Sequence, residues 1–165
     1  MVLDIRTFGD PVLKTRAAPV ETFDDSLARL TEEMLSTMRE NDGVGLAANQ
    51  VGRLKRVLVA SVEDEDYVIV NPVLADLSDA TERGQEGCLS IPGIQVDVER
   101  PATVTVSGSD ASGTPLRIEA SDMLARVLQH EVDHLDGVLI LDRTDRASRK
   151  AAMREWRENL LAQQG

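Results

Sequence analysis

The chain has two histidines, His130 and His134, and one cysteine, Cys88. The histidines stand four apart with Glu131 between them, in the stretch LQHEVDHLDG at 128–137. On a helix, side chains at i and i+4 share a face. Two imidazoles so placed can hold one divalent ion, with the intervening carboxylate close to a water on that ion. On a helical wheel over residues 123–135, Leu124, Val127, Leu128, Val132 and Leu135 form an apolar face, and Glu131 falls inside it. His130 and His134 lie along one edge beside Met123, while Arg126, Gln129 and Asp133 are expected to face solvent. A carboxylate on a buried face is costly unless something compensates its desolvation. A metal ion would do so; a chance pair of surface histidines would leave Glu131 unexplained.

Two histidines leave such a site incomplete, because a catalytic ion usually takes three protein ligands and keeps one position open. With no third histidine, the candidates are a distant carboxylate (Glu155 or Glu158, as in a thermolysin-like zinc peptidase) or Cys88. Cys88 follows RGQEG at 83–87, whereas a free thiol of the ordinary buried kind sits in an apolar run. That context points to ligation. A second glycine-containing stretch, GVGLAANQ at 43–50, lacks the GK[ST] ending of a phosphate loop. Gly43 there also reads as a helix cap.

The elements that must position these residues follow from periodicity and punctuation. Leu27, Leu30, Met34, Leu35 and Met38 recur at helical spacing over 24–40, with Asp24 to Ser26 to cap the start and Gly43 to end it. Strands are expected at RVLVASV and YVIVNPVLADLS, on either side of an EDED turn, and at IQVDVER, ATVTVSG and TPLRIEA. RGQEGCLSIPG reads as a loop. Ser121 and Asp122 open the histidine helix and Gly137 closes it; VLILD reads as extended, before a last helix near 145–162. This order predicts an α+β fold: one domain over 1–165, of antiparallel or mixed strands around a central HExxH helix, with N- and C-terminal helices.

Bulk properties narrow the class. At 42% hydrophobic and 28% charged, the chain reads as globular. A single cysteine excludes an internal disulfide. A net charge of −11 argues against DNA binding, and no apolar run approaches the length of a membrane span. MVLDIRTFGDPVLKT has the layout of neither a secretory signal nor a transit peptide, so a cytoplasmic location is expected.

Together, GVGLAANQ at 43–50, EGCLS at 86–90 and HEVDH at 130–134 resemble the three motifs of peptide deformylases, in that family's order and spacing. FGDPVLKTRAAPV at 8–20 extends the likeness to nearly the whole chain, and the compact length is that of the bacterial type. The resemblance implies an enzyme that removes the formyl group from the N-terminal formylmethionine of new polypeptides. It implies that Cys88, His130 and His134 bind one divalent ion, ferrous iron in the typical member, at a thiolate-containing site that also accepts zinc, nickel or cobalt. Glu131 would accept a proton from water and deliver it to the leaving amine. The backbone N–H of Leu89 and the side-chain amide of Gln50 would meet the developing oxyanion. Gly45 and Gly87 would let substrate backbone approach closely. Glu86 and Arg100 resemble a family ion pair that holds the Cys88 loop; as an ordinary surface pair it would contribute under about 1 kcal/mol. Val44, Met123 and Val127 are the expected apolar pocket for the substrate side chain.

Residues 143–158 carry six basic residues (Arg143, Arg146, Arg149, Lys150, Arg154, Arg157) against Asp145, Glu155 and Glu158. All but Arg149 of the six fall within a stripe of about 80° on a wheel, with Ala152, Met153, Trp156 and Leu160 beside it to dock the helix. The resemblance suggests that this stripe meets ribosomal RNA. Two other readings compete. A zinc endopeptidase with a downstream Glu ligand leaves Cys88 and Gln50 without roles. A non-catalytic protein with a structural metal needs a fourth protein ligand, and none is evident.

Overall fold

The structure, a computed structural model, describes residues 2–164. Helix α1 (Asp25–Glu40) begins where Asp24 accepts the Leu27 N–H at 3.0 Å. Its left-handed exit residue is Asp42 (φ 55), not Gly43. Gly43 answers a different need, since a Cβ there would lie 2.7 Å from Leu89 Cδ1. Strand β1 (Gly45–Ala47) follows, then a 3₁₀ turn at Ala48–Val51.

Strands β2 (Val57–Val62), β3 (Glu65–Ala75), β6 (Thr103–Ser109) and β7 (Pro115–Ser121) join β1 in an antiparallel sheet of order β1-β2-β3-β6-β7. Between β3 and β6 in sequence, β4 (Thr81–Gly87) and β5 (Gln95–Pro101) form a separate antiparallel pair. The period-two pattern buries both faces of the large sheet at β2, where Val57 to Ala60 are all covered. Val57 and Val59 pack with Leu27, Leu30, Met34 and Met38 of α1. Leu58 and Ala60 pack with Leu128, Val132 and Leu135 of helix α2 (Asp122–Leu135). Each fully buried Leu or Met contributes about 1.5–3 kcal/mol relative to leaving it exposed. A third apolar cluster joins Val96 and Val98 of β5 to Ile140, Leu141 and Ala152.

The α2 helix therefore lies between the large sheet and the β4–β5 pair, and this overturns one expectation. Arg126, Gln129 and Asp133 do not face solvent. Gln129 is 4% and Asp133 7% exposed. The β4–β5 pair covers that side: Gln129 Nε2 donates to Pro101 O at 3.0 Å, and Arg126 Nη1 to Val98 O at 3.0 Å. Two element assignments also change. The first half of RGQEGCLSIPG is strand β4, which apolar alternation could not reveal because Glu86 is its one buried residue. VLILD contains a one-turn helix, α3 (Ile140–Arg143), where the Asp142 carboxylate accepts the Leu139 N–H at 2.9 Å. Helix α4 (Arg146–Gln164) buries Ala152 and half-buries Trp156, which meets Phe8 edge-on at 6.1 Å between ring centroids.

Candidate metal centre and active site

Helix α2 brings His130 Nε2 and His134 Nε2 within 3.1 Å of each other. The turn after β4 brings Cys88 Sγ to 3.4 Å from His134 Nε2. Among the described residues, this is the group of Cys, His, Asp and Glu side chains whose ligand atoms converge, all lying within 4.8 Å of one another. Both histidines are buried, and His134 Nδ1 has no hydrogen-bond partner. Burial, with His130 alongside, holds His134 well below its ordinary pKa. Two lone-pair nitrogens and a sulfur at these separations suit one ion with ligands at about 2.0–2.3 Å. Glu155 and Glu158, the alternative third ligands, stand exposed on α4 and do not join the cluster.

Glu131 is 4% exposed, and its Oε1 has no partner. Burial pushes its carboxyl up to about 7, against the pull of His130. It fits only because β1 has no side chain opposite: a Cβ on Gly45 would lie 2.5 Å from Glu131 Oε2.

Gln50 sits in the 3₁₀ turn with its amide aimed by two bonds. Its Oε1 accepts the Ala47 N–H at 2.9 Å, and its Nε2 donates to Ser90 Oγ at 3.1 Å. A longer contact, 3.5 Å, runs from Nε2 to Cys88 Sγ. Leu89 lies in the turn that Ile91 N–H closes onto Cys88 O at 3.0 Å. A cleft of about 930 Å³ opens over these groups. Val44, Gly45, Gly87, Met123 and Val127 all line it, so the structure gathers every residue expected to meet substrate. Val44 and Met123 are exposed on the wall of this cleft.

Around His130 lies a buried charge network. Glu86 Oε1 is 2.9 Å from His130 Nδ1, and Arg100 grips Glu86 with Nε at 2.6 Å and Nη2 at 2.9 Å. Burial alone would raise the Glu86 carboxyl; the bonds from His130 and Arg100 outweigh it and hold it at about 2. Arg100 Nη1 also reaches Asp133 at 2.9 Å, and Arg143 clasps Asp133 at 2.8 and 3.0 Å. The Glu86–Arg100 pair is thus no surface pair, and Arg143, itself still exposed, pairs with Asp133 at the edge of this network. Ser90, Asp133, Arg126 and Arg143 are site residues that sequence reasoning missed. Their partners are brought opposite from other elements, and no local spacing signals such contacts.

An HExxH helix with a cysteine drawn in from a neighbouring hairpin, set in an α+β fold, defines a metal-dependent hydrolase. The sequence profile of the family described as polypeptide deformylase matches residues 2–150. Peptide deformylase 1 of Corynebacterium efficiens is 51% identical over 92% of both chains. The crystal structure of the peptide deformylase of Thermotoga maritima superposes with a TM-score of 0.86 at 44% identity, covering 88% of this chain and 99% of that one. The enzyme of Synechococcus elongatus, solved in complex with actinonin, gives 0.89 at 45% identity over 93% and 85%. The chain belongs to the polypeptide deformylase family. It is a metal-dependent enzyme that removes the formyl group from nascent peptides, and the endopeptidase alternative is not favoured.

Proposed function

We propose that Cys88, His130 and His134 hold one divalent ion, ferrous iron in the native enzyme, and that Glu131 is the acid/base of deformylation. The observation that carries this is a carboxylate 4% exposed, with an unpartnered oxygen, beside three converging ligand atoms. The bound ion supplies Lewis acidity, lowering the pKa of water and polarising the formyl carbonyl. Glu131 takes the proton of the attacking water as its oxygen bonds the formyl carbon. It then gives that proton to the amine as the C–N bond breaks, and the second water proton ionises from the formic acid released, leaving formate and a protonated N-terminus. Gln50 and the backbone N–H of Leu89 donate to the carbonyl oxygen as it gains charge. The N–H that Gln50 spends on its 3.5 Å contact with Cys88 is the one most easily redirected. Val44, Met123 and Val127 receive the methionine side chain, and Gly45 and Gly87 admit the substrate backbone. Glu86 and Arg100 steady the Cys88 turn and His130.

A formyl-Met tripeptide and an N-blocked, internally cleavable peptide of similar composition separate this reading from peptide hydrolysis. Formate release from the first with no cleavage of the second is expected. Cleavage of the second alone would reverse the assignment.

The enzyme is proposed to work in the cytoplasm; among the described residues no helix is long and apolar enough to cross a membrane. We also propose that α4 meets ribosomal RNA through Arg146, Lys150, Arg154 and Arg157, all exposed. Such contact releases counterions and weakens steeply with salt. Reversing the charges of Arg146, Lys150 and Arg154 should lower ribosome co-sedimentation at low salt and leave free-peptide turnover unchanged. Equal co-sedimentation of the two proteins would remove the ribosome contact.

A further inference from the structure

Arg126 stands one turn before His130 on α2 and folds back across the β4–β5 pair. Its Nη1 donates to Glu86 Oε2 at 2.6 Å and to Val98 O at 3.0 Å, while Nη2 donates to Glu82 O at 2.8 Å. The side chain is 14% exposed. It lies against Gly84, where an added Cβ would stand 3.2 Å from the guanidinium carbon.

The consequence falls on Glu86. Its Oε1 faces His130 Nδ1 and Arg100 Nη2, and its Oε2 takes Arg100 Nε and Arg126 Nη1. A carboxylate offers about four acceptor positions, so all are filled. The carboxylate plane cannot turn without losing a bond. Glu86 belongs to β4 and His130 to α2, so the bond between them is only as firm as the spacing of those elements. Arg126 spans that spacing, binding the Glu86 carboxylate and two strand carbonyls from a helix position. Arg100 crosses the same spacing from the strand side, joining Glu86 to Asp133 of α2, whereas Arg126 alone reaches the Glu86 carboxylate from α2 through a cation.

We propose that Arg126 is a positioning residue of the metal centre: by locking Glu86 it fixes the direction in which His130 presents Nε2, and so sets how tightly a divalent cation is retained. The proposal rests on the reading of Cys88, His130 and His134 as ligands. It goes beyond that reading by giving a role to a residue outside the set of ligands. Groups that orient a ligand from behind typically govern 10–100-fold in affinity.

The test uses Co²⁺ as the probe, with affinity measured by chelator competition, thiolate–cobalt absorption recorded, and melting of the metal-free protein followed alongside. Arg126→Met should bind Co²⁺ about 10–100-fold more weakly with an altered absorption band. Arg126→Lys should recover part of the loss, since one ammonium cannot serve the carboxylate and both carbonyls. Gly84→Ala keeps the arginine but displaces its guanidinium by a few tenths of an ångström. It should weaken binding in the same direction by a smaller factor, and it decides the matter if Arg126→Met does not fold. Lowered melting with Co²⁺ affinity and absorption unchanged in both variants would overturn the proposal and leave Arg126 a purely structural clamp. Failure of the unchanged protein to bind Co²⁺ would instead overturn the ligand reading, and this proposal with it.

Discussion

Glu131→Gln is expected to keep its metal and lose on the order of 10²–10⁴ in turnover or more. The amide has the shape of the carboxylate, so it fits the space that Gly45 leaves open on β1. Metal retention should survive, because the ligand atoms belong to Cys88, His130 and His134. The amide cannot accept a proton, so water attack and amine departure both lose their carrier. Burial raises the Glu131 carboxyl above its ordinary value, the direction that suits a group which takes and returns a proton. Metal content by mass spectrometry and turnover of a formyl-Met tripeptide are the paired measurements. Turnover near that of the unchanged enzyme would rule out the role.

The second large effect is expected at Cys88. Cys88→Ala should lower affinity for the divalent ion by more than about 100-fold, beyond the cost of removing a group that merely orients a ligand. Two neutral imidazoles would remain, without the thiolate charge that offsets the cation in a buried place. Dialysed protein should then carry far less than one metal per chain and lose activity in parallel. Anaerobic preparation of the unchanged enzyme should yield iron. Full occupancy with unchanged affinity in the variant would move the third ligand to a carboxylate and revive the endopeptidase chemistry.

Much of the site is legible in the sequence before any fold is known. The i, i+4 histidines, the carboxylate on an apolar face and the amphipathic α1 are short-range patterns, because helix geometry fixes which neighbours share a face. The alternating faces of β2 and β3 are readable for the same reason. The three motifs, taken together, point to the family to which the chain belongs.

Other features belong to the tertiary structure alone. Whether Cys88 or a distant glutamate closes on the histidines depends on how β4 and its turn lie against α2, and the residue types alone leave both open. Arg126, Gln129 and Asp133 occupy a polar face of the α2 wheel, yet are largely covered. Their burial costs little because Val98 O, Pro101 O, Glu86 and Arg100 stand ready across the gap. Strand β4 is almost wholly polar and is held by backbone pairing with β5, which requires no apolar alternation. Arg143 turns to Asp133, ten residues before it, for the same kind of reason, though it stays exposed. Periodicity records which residues face the same way along one element. It carries no record of the partner that another element brings opposite, and a polar side chain is buried or exposed according to that partner.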